Sequence, residues 1–270
     1  QVLYRNTSGT YNTANGNYAL FSNTTGSYNT ASGFNALFLN TTGTRNIAIG
    51  YGAYDAADTE NDNLAIGYDA LGGAVAGGEG NIAIGNYSMD ANTSGDYNTA
   101  VGYASLGANT NNNYNTAIGW QSLLNTASGG FNTGVGSRSL ESNASGINNT
   151  AVGVNSIFTN SSGDENTGVG RNSLYLTTGS YNTSLGWYSG NEITSGTYNT
   201  IVGHNASASG ATAVNQTVIG AEAIGQGDNT ITLGDDAVTK VYASEDAGAT
   251  LHAGGLNLGG TAVTSTATEL

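Results

Sequence analysis

Tyr11-Asn12-Thr13-Ala14-Asn15-Gly16 returns as Tyr28-Asn29-Thr30-Ala31-Ser32-Gly33, then as Arg45-Asn46-Ile47-Ala48-Ile49-Gly50, and continues to Tyr198-Asn199-Thr200-Ile201-Val202-Gly203. The asparagine falls at Asn12, Asn29, Asn46, Asn63, Asn81, Asn98, Asn115, Asn132, Asn149, Asn166, Asn182 and Asn199, with Gln216 next in register. The steps are 17 residues, apart from one of 18 (Asn63 to Asn81) and one of 16 (Asn166 to Asn182). A fixed period this short means one unit stacked many times. The array therefore reads as a solenoid and not as a globular enzyme.

After each asparagine comes Thr, Ile or Leu, then a small residue, then usually an aliphatic, then Gly. That alternation has a period of two, the mark of a short strand. Thr and Ile share one strand face, expected to point inward, while Asn and Ala share the other. Gly closes the unit in every copy, among them Gly50, Gly67, Gly85, Gly102 and Gly119, as expected where the backbone turns at positive φ or lies beneath a close neighbour. A second short strand is expected at Ala19-Leu20, Ala36-Leu37, Ser105-Leu106 and their equivalents. A polar turn such as Asn23-Thr24-Thr25-Gly26 then closes the coil. Helical repeats are excluded by the short period and by coils rich in Gly, Asn and Thr. The fold class is thus all-β: a parallel β-solenoid of about fourteen coils. Stacked at about 4.8 Å, they would make a rod of roughly 65 Å with the asparagines in an amide ladder that satisfies turn backbone.

Composition narrows the function. The chain has 42 Gly, no Pro, no Cys, 19 acidic and five basic residues, for a net charge of −14. Lys240 is the only lysine, and Arg5, Arg45, Arg138 and Arg171 are scattered, so nucleic acid has no basic patch to meet. An acidic surface repels anionic membranes, and no apolar run approaches the roughly 20 residues of a membrane helix. The start, Gln1-Val2-Leu3-Tyr4, is not a signal peptide and has no initiator Met, which suggests a mature or truncated chain. Residues 1–10 read as a partial coil or connector, 11–234 as the solenoid, and 235–270 as an extended stalk or cap segment.

Each coil offers two or three apolar side chains, a thin core with no disulfides to reinforce it. The small residue after Thr, Ile or Leu forms a column that would permit close approach of another surface. Association along the rod is expected, most simply as a homotrimer.

Candidate chemistry is sparse. His204 and His252 are far apart in sequence and there is no Cys, so neither a zinc site nor a Ser-His-Asp group is expected, and no cofactor. Asp55, Asp58, Glu60 and Asp62 form an acidic loop with weak potential for calcium, against the plainer reading of a solvated turn. Two aromatic columns are visible. One precedes the asparagine (Tyr11, Tyr28, Tyr97, Tyr114, Phe131, Tyr181, Tyr198), and one follows the corner glycine. In the second, Tyr51, Tyr68, Tyr103, Trp120 and Trp187 are candidate glycan contacts, since an aromatic face suits a sugar ring; coil-to-coil stacking is the plainer role. Asn-x-Ser/Thr triplets such as Asn6-Thr7-Ser8 and Asn160-Ser161-Ser162 arise readily in so Asn- and Thr-rich a repeat.

Asn46-Ile47-Ala48-Ile49-Gly50, Asn81-Ile82-Ala83-Ile84-Gly85 and Asn115-Thr116-Ala117-Ile118-Gly119 resemble the coils of trimeric autotransporter adhesin heads, which are left-handed parallel β-rolls of three chains. The coils here are longer by three residues than that family's 14, except that Gly220 to Gly234 spans 14. A closer resemblance is to repeat-rich tail-fibre-like proteins of marine phages and bacteria, in which Asn-Thr-Ala-Ile-Gly-Tyr and Asn-Thr-Thr-Gly alternate. Asp228–Gly234, Val238–Ala243 and Leu251–Gly260 look like the segment that precedes a self-cleaving chaperone domain in such fibres; that domain is not in this sequence.

The resemblance implies an extracellular, non-enzymatic fibre on a virion tail or cell surface, partnered by its own copies and by a host glycan or receptor. Alternatives are a bacterial adhesin or end-to-end filament, and an ice-binding solenoid using the column Thr99, Thr116, Thr133, Thr150, Thr167, Thr183, Thr200 and Thr217. A glycan-cleaving spike would need paired carboxylates in a groove, and none recurs.

Overall fold

The computed structural model describes residues 1–73, 78–239 and 241. Residues Gln1–Asp235 form one compact unit. Lys240, His252 and most of the expected C-terminal segment lie outside the described residues.

The solenoid is as expected. One three-residue strand per coil builds a single parallel sheet in chain order: β1 (Thr13–Asn15), β2 (Thr30–Ser32), β3 (Ile47–Ile49), β4 (Leu64–Ile66), β5 (Ile82–Ile84), β6 (Thr99–Val101), β7 (Thr116–Ile118), β8 (Thr133–Val135), β9 (Thr150–Val152), β10 (Thr167–Val169), β11 (Thr183–Leu185), β12 (Thr200–Val202), β13 (Thr217–Ile219) and β14 (Ile231–Leu233). Thr99 pairs with Thr116, Ala100 with Ala117, and Val101 with Ile118. The 18- and 16-residue steps leave this register intact, because Leu64 still meets Ile82 and Thr167 still meets Thr183. The extra or missing residue is absorbed outside the strand.

The asparagine ladder couples each coil to both neighbours. Asn115 N–H donates to Asn98 Oδ1 at 2.9 Å, its Nδ2 donates to the Gly129 carbonyl at 3.1 Å, and its Oδ1 accepts the N–H of Asn132 at 3.0 Å. One buried amide thus satisfies a backbone N–H just before the next strand and a turn carbonyl. Gln216 keeps the first of these bonds, its N–H donating to Asn199 Oδ1 at 3.0 Å, but its longer side chain turns Nε2 to Ser209 Oγ.

A second ladder was not foreseen. Asn23 Nδ2 donates to Asn6 Oδ1 and to the Gly26 carbonyl, and Asn40, Asn109 and Asn160 repeat this. Thr126 and Thr177 interrupt it, and each buries a hydroxyl without a partner. Thr126→Asn, seated between Asn109 and Asn143, is expected to stabilise the chain by about 1 kcal/mol. The readout is a higher urea midpoint at unchanged slope; an unchanged or lower midpoint would count against the ladder.

Three expectations need correction. First, the Ala/Ser-Leu segment is not a strand. Leu20, Leu37, Leu106 and Leu123 have φ near +50°, as do Ala104 and Gln121 two residues before the last two. Left-handed residues separated by ordinary ones give a tight turn whose side chains still alternate, which imitates a strand in sequence. Each such residue costs about 1–2 kcal/mol locally. The coil holds them because their N–H groups bond the neighbouring coils, as when Leu106 N–H donates to the Ser122 carbonyl at 2.9 Å and Ala104 N–H to the Asn86 carbonyl at 3.0 Å.

Second, the faces of the strand are reversed. Ala48 is 0% exposed, whereas Ile47 and Ile49 are 39% and 41% exposed. The same pattern, middle residue in and flanking residues out, recurs along the sheet. Third, it follows that the column of small residues is not an outer contact surface. It lines the chain's own thin interior, where the buried serines cross to the opposing backbone: Ser88 Oγ donates to the Ala100 carbonyl at 3.1 Å and Ser122 Oγ to the Gly134 carbonyl at 2.9 Å. Leu106, Leu123 and Leu140, all fully buried, fill the rest.

Candidate interaction surface

The strands set the surface. Two side chains from each strand project outward, so the sheet presents two parallel columns. One runs Thr13, Thr30, Ile47, Leu64, Ile82 and then Thr from Thr99 to Thr217; the other runs Asn15, Ser32, Ile49, Ile66, Ile84 and then Val101 to Leu233, aliphatic throughout. Every one of these outer side chains is half-buried or exposed, and none is charged. In a chain of net charge −14 this is a neutral stripe running the length of the sheet. Among the described residues, none of the hydroxyls on it from Thr99 to Thr217 is held in a hydrogen bond within the chain.

Aromatic side chains flank the stripe. Before the asparagine, Tyr11 stacks on Tyr28 at 4.9 Å, Tyr97 on Tyr114 and Tyr114 on Phe131, and Tyr181 on Tyr198 at 4.7 Å. Where the column lacks rings, Arg45 reaches Asp62 in a two-pronged ion pair at 2.5 and 2.7 Å. After the corner glycine, Tyr51 is sandwiched between Phe34 and Tyr68, with both centroid distances 5.1 Å. Tyr68 and Tyr103 meet Tyr87 edge to face, and Trp187 stacks on His204 at 4.8 Å. The proposed sugar-binding faces of Tyr51 are therefore covered by neighbouring rings, at the spacing expected for favourable offset stacks. Trp120 differs: it is 48% exposed, and among the described residues no other ring packs on it. Among the described residues, no three or more His, Cys, Asp or Glu side chains are grouped so as to hold a metal ion.

The acidic loop does not converge. Asp62 is held by Arg45, which lowers its pKa. Asp58 accepts the Thr41 hydroxyl. Glu60 Oε2 accepts the N–H groups of Asp58 and Thr59 at 2.8 and 3.1 Å, closing the turn from inside. Asp55 lies apart from these three, near Asp69 of the next coil, and its carboxyl is pushed up by burial and by the charge of that neighbour; burial pushes Asp69 up as well. This coil is irregular throughout. Tyr54 takes the leucine position and Ala57 the second-ladder position, and Asn63 Nδ2 donates to Tyr54 Oη at 2.6 Å. Ala57 leaves Asn40 Oδ1 buried without a partner.

A raised folded-state pKa means the folded chain holds the proton more tightly. Stability from Asp55 and Asp69 is therefore full below the ordinary carboxylate range and is lost as pH rises through their folded values. Asp55→Asn is expected to raise the melting temperature at pH 7 and to have little effect near pH 3. An equal effect at both pH values would refute the assignment.

The sequons split by burial. Asn160 is fully buried and donates to Asn143 Oδ1 and the Gly163 carbonyl, so the folded chain offers it to no modifying enzyme. Asn6 lies in an exposed turn.

No helix among the described residues is long and apolar enough to cross a membrane. No protein-family model matches the chain, no curated protein is detectably similar to it, and no solved structure matches it.

Proposed function

We propose that this chain is the non-enzymatic shaft of an extracellular fibre, assembled from three copies and carried on a phage tail or a comparable cell-surface appendage. The observation that supports this most is the neutral, largely apolar stripe on an otherwise acidic rod. A stripe of that extent is costly to leave in water and is usually covered by a partner. The one-dimensional array suits a spacer, because each coil depends only on its neighbours and length is set by coil number. Adhesion would come from many weak contacts repeated along the rod and multiplied by three chains, with Trp120, on which no other ring packs among the described residues, the leading glycan contact.

Light scattering of the full chain tests the assembly. A mass near three times 27.1 kDa is expected, and a monomer would sink the proposal. Immunogold labelling of the native source tests the setting. Label on virion tails supports the tail-fibre reading, and label on long cell-attached filaments supports the adhesin or filament reading instead.

A further inference from the structure

We infer that the tyrosines stacked in pairs on successive coils are sites of oxidative coupling, and that a peroxide-driven step joins each pair ring to ring into a covalent staple between neighbouring coils. Three pairs stand in the column before the asparagine: Tyr11 on Tyr28, Tyr97 on Tyr114 and Tyr181 on Tyr198. Tyr51 on Tyr68 makes a fourth, in the column after the corner glycine. Each staple lies within one chain, so it forms whether or not copies associate.

The backbone sets the geometry. In the first column all six tyrosines are left-handed, with φ from 55° to 62°. The N–H of the second member of each pair is tied to the coil before: Tyr28 to the Thr10 carbonyl at 3.0 Å, Tyr114 to Asp96 at 3.1 Å and Tyr198 to Ser180 at 3.3 Å. The two rings therefore leave the backbone in the same direction, one coil apart. Their centroids are 4.9, 5.4 and 4.7 Å apart and their planes 14°, 15° and 6° from parallel. Tyr51 and Tyr68 are 5.1 Å apart at 5°. Each of the eight rings is 42% to 76% exposed, which leaves room to pivot until ring edges meet. Stacking alone does not need the hydroxyl, because Phe131 stacks on Tyr114 and Phe158 on Tyr175 at 5.1 and 5.0 Å. Among the described residues, none of the eight hydroxyls is held in a hydrogen bond within the chain, in contrast to that of Tyr54.

The rest of the chain leaves the oxidant to these phenols. There is no cysteine to react first, and the single methionine, Met89, is fully buried. Trp187 packs on Tyr188 and His204, outside the four pairs. Hydrogen peroxide, used by a haem peroxidase, drives the step. Each phenol gives up one electron and its hydroxyl proton. The two phenoxyl radicals join through a carbon–carbon bond between ring positions ortho to oxygen. The hydrogens on those two carbons then move to the oxygens and restore both phenols. The pair has lost two hydrogens, and the peroxide has taken up two electrons and two protons and leaves as two waters. A tyrosyl radical needs a second ring within reach, and the stacked partner supplies it without diffusion. The product closes a loop of 17 residues and acts as a disulfide does, by restricting the unfolded chain. Tyr11 with Tyr28 would hold down the first coil, where fraying begins. Tyr181 with Tyr198 would reinforce coils in which Thr177 and Ile193 stand in place of the second asparagine ladder.

The full chain treated with hydrogen peroxide and a haem peroxidase, once folded and once in urea, tests this. The folded chain should gain dityrosine fluorescence and still run as a single chain of 27.1 kDa on a denaturing gel. Chymotrypsin cuts between the members of each pair, for example after Leu20 or Phe21. The map should show the four pairs joined, each lighter by two hydrogens. Tyr68 with Tyr87 and Tyr87 with Tyr103, which meet edge to face, should stay unlinked, whereas the chain in urea should give a mixture of pairings. Tyr28→Phe keeps a ring in the stack and should lose the Tyr11 link alone. Oxidation should raise the melting temperature of the wild type and leave that of a chain carrying Tyr28→Phe, Tyr68→Phe, Tyr114→Phe and Tyr198→Phe unchanged. Absence of dityrosine, the same mixture from folded chain as from urea, or chains joined to one another in place of internal links would each overturn the inference. A rise in melting temperature that persists in the four-phenylalanine chain would overturn the stabilising role.

Discussion

Gly136→Ala is expected to destabilise the rod by roughly 2–6 kcal/mol, the sum of a strained backbone and an overpacked contact. Gly136 sits at φ +133°, and an added Cβ would lie 2.6 Å from both the carbonyl carbon and the oxygen of Gly153 in the next coil. That neighbour is itself a corner glycine in the same conformation, so neither backbone has room to yield. The turn glycines are the internal comparison. A Cβ on Gly95 would also come close to backbone, 2.5 Å from the Asn112 oxygen, but φ there is outside the left-handed region. The chain itself places Glu60 and Asn112 at the equivalent position. Gly95→Ala is therefore expected to cost clearly less than Gly136→Ala. Position matters too, because coupling runs only between neighbours. Gly136 lies mid-array and its loss should separate two blocks of coils, visible as two zones of hydrogen exchange, whereas Gly16→Ala should fray only the first coil. Equal melting temperatures for the Gly95 and Gly136 variants would show that backbone conformation does not govern the corner.

The parts of the fold that were legible in the sequence share one property: their side chain or its absence acts on backbone. The corner glycines, the Asn115-type ladder and the strand register were all readable, because each is fixed by a hydrogen bond or a steric limit that repeats with every coil. What was misread depends on the direction of side chains in a coil only a few ångströms thick. Ile49 and Val101 read as core because they are apolar, yet there is no room for them inside; Ala48 and Ala100 occupy the interior because they are small. The signal was present. The inner position is almost always Ala, Gly or Ser, while the outer one ranges from Asn15 to Leu233. Constancy of size marked the core better than hydrophobicity did. The left-handed leucines were illegible for another reason, since Leu106 at φ +53° is held there by bonds to adjacent coils and not by local preference. Compensation between positions also escaped notice. Gly190 vacates the leucine position and Ile193, in the second-ladder position, fills the space: an added Cβ on Gly190 would come 3.5 Å from Ile193 Cδ1.

The same reasoning assigns the largest polar effect to Asn132. Its Oδ1 accepts the N–H of Asn149 at 2.9 Å, and its Nδ2 donates to the Gly146 carbonyl at 2.8 Å, all fully buried. Asn132→Ala strands the buried N–H of Asn149, while the Gly146 carbonyl keeps its bond from Asn143 Nδ2 at 2.9 Å, so a loss of about 1–3 kcal/mol is expected from the stranded donor. Asn132→Asp separates the two functions. Its carboxylate can still accept from Asn149, but it faces the Gly146 carbonyl, which offers no proton. Burial and that oxygen both favour the protonated acid, which can donate to Gly146 as the amide does. The folded-state pKa of this aspartate therefore rises above its ordinary value of about 3.9. By linkage the stability of the variant is full below that value and lost as pH rises through the folded one. The gap in melting temperature between wild type and Asn132→Asp should thus be small near pH 3.5 and wide at pH 7.5, while Asn132→Ala should show a gap that does not vary with pH. A gap for the aspartate variant that is equally wide at both pH values would mean that the ladder stabilises through its acceptor alone. The bond from each amide to the next turn would then be a consequence of stacking and not one of its causes.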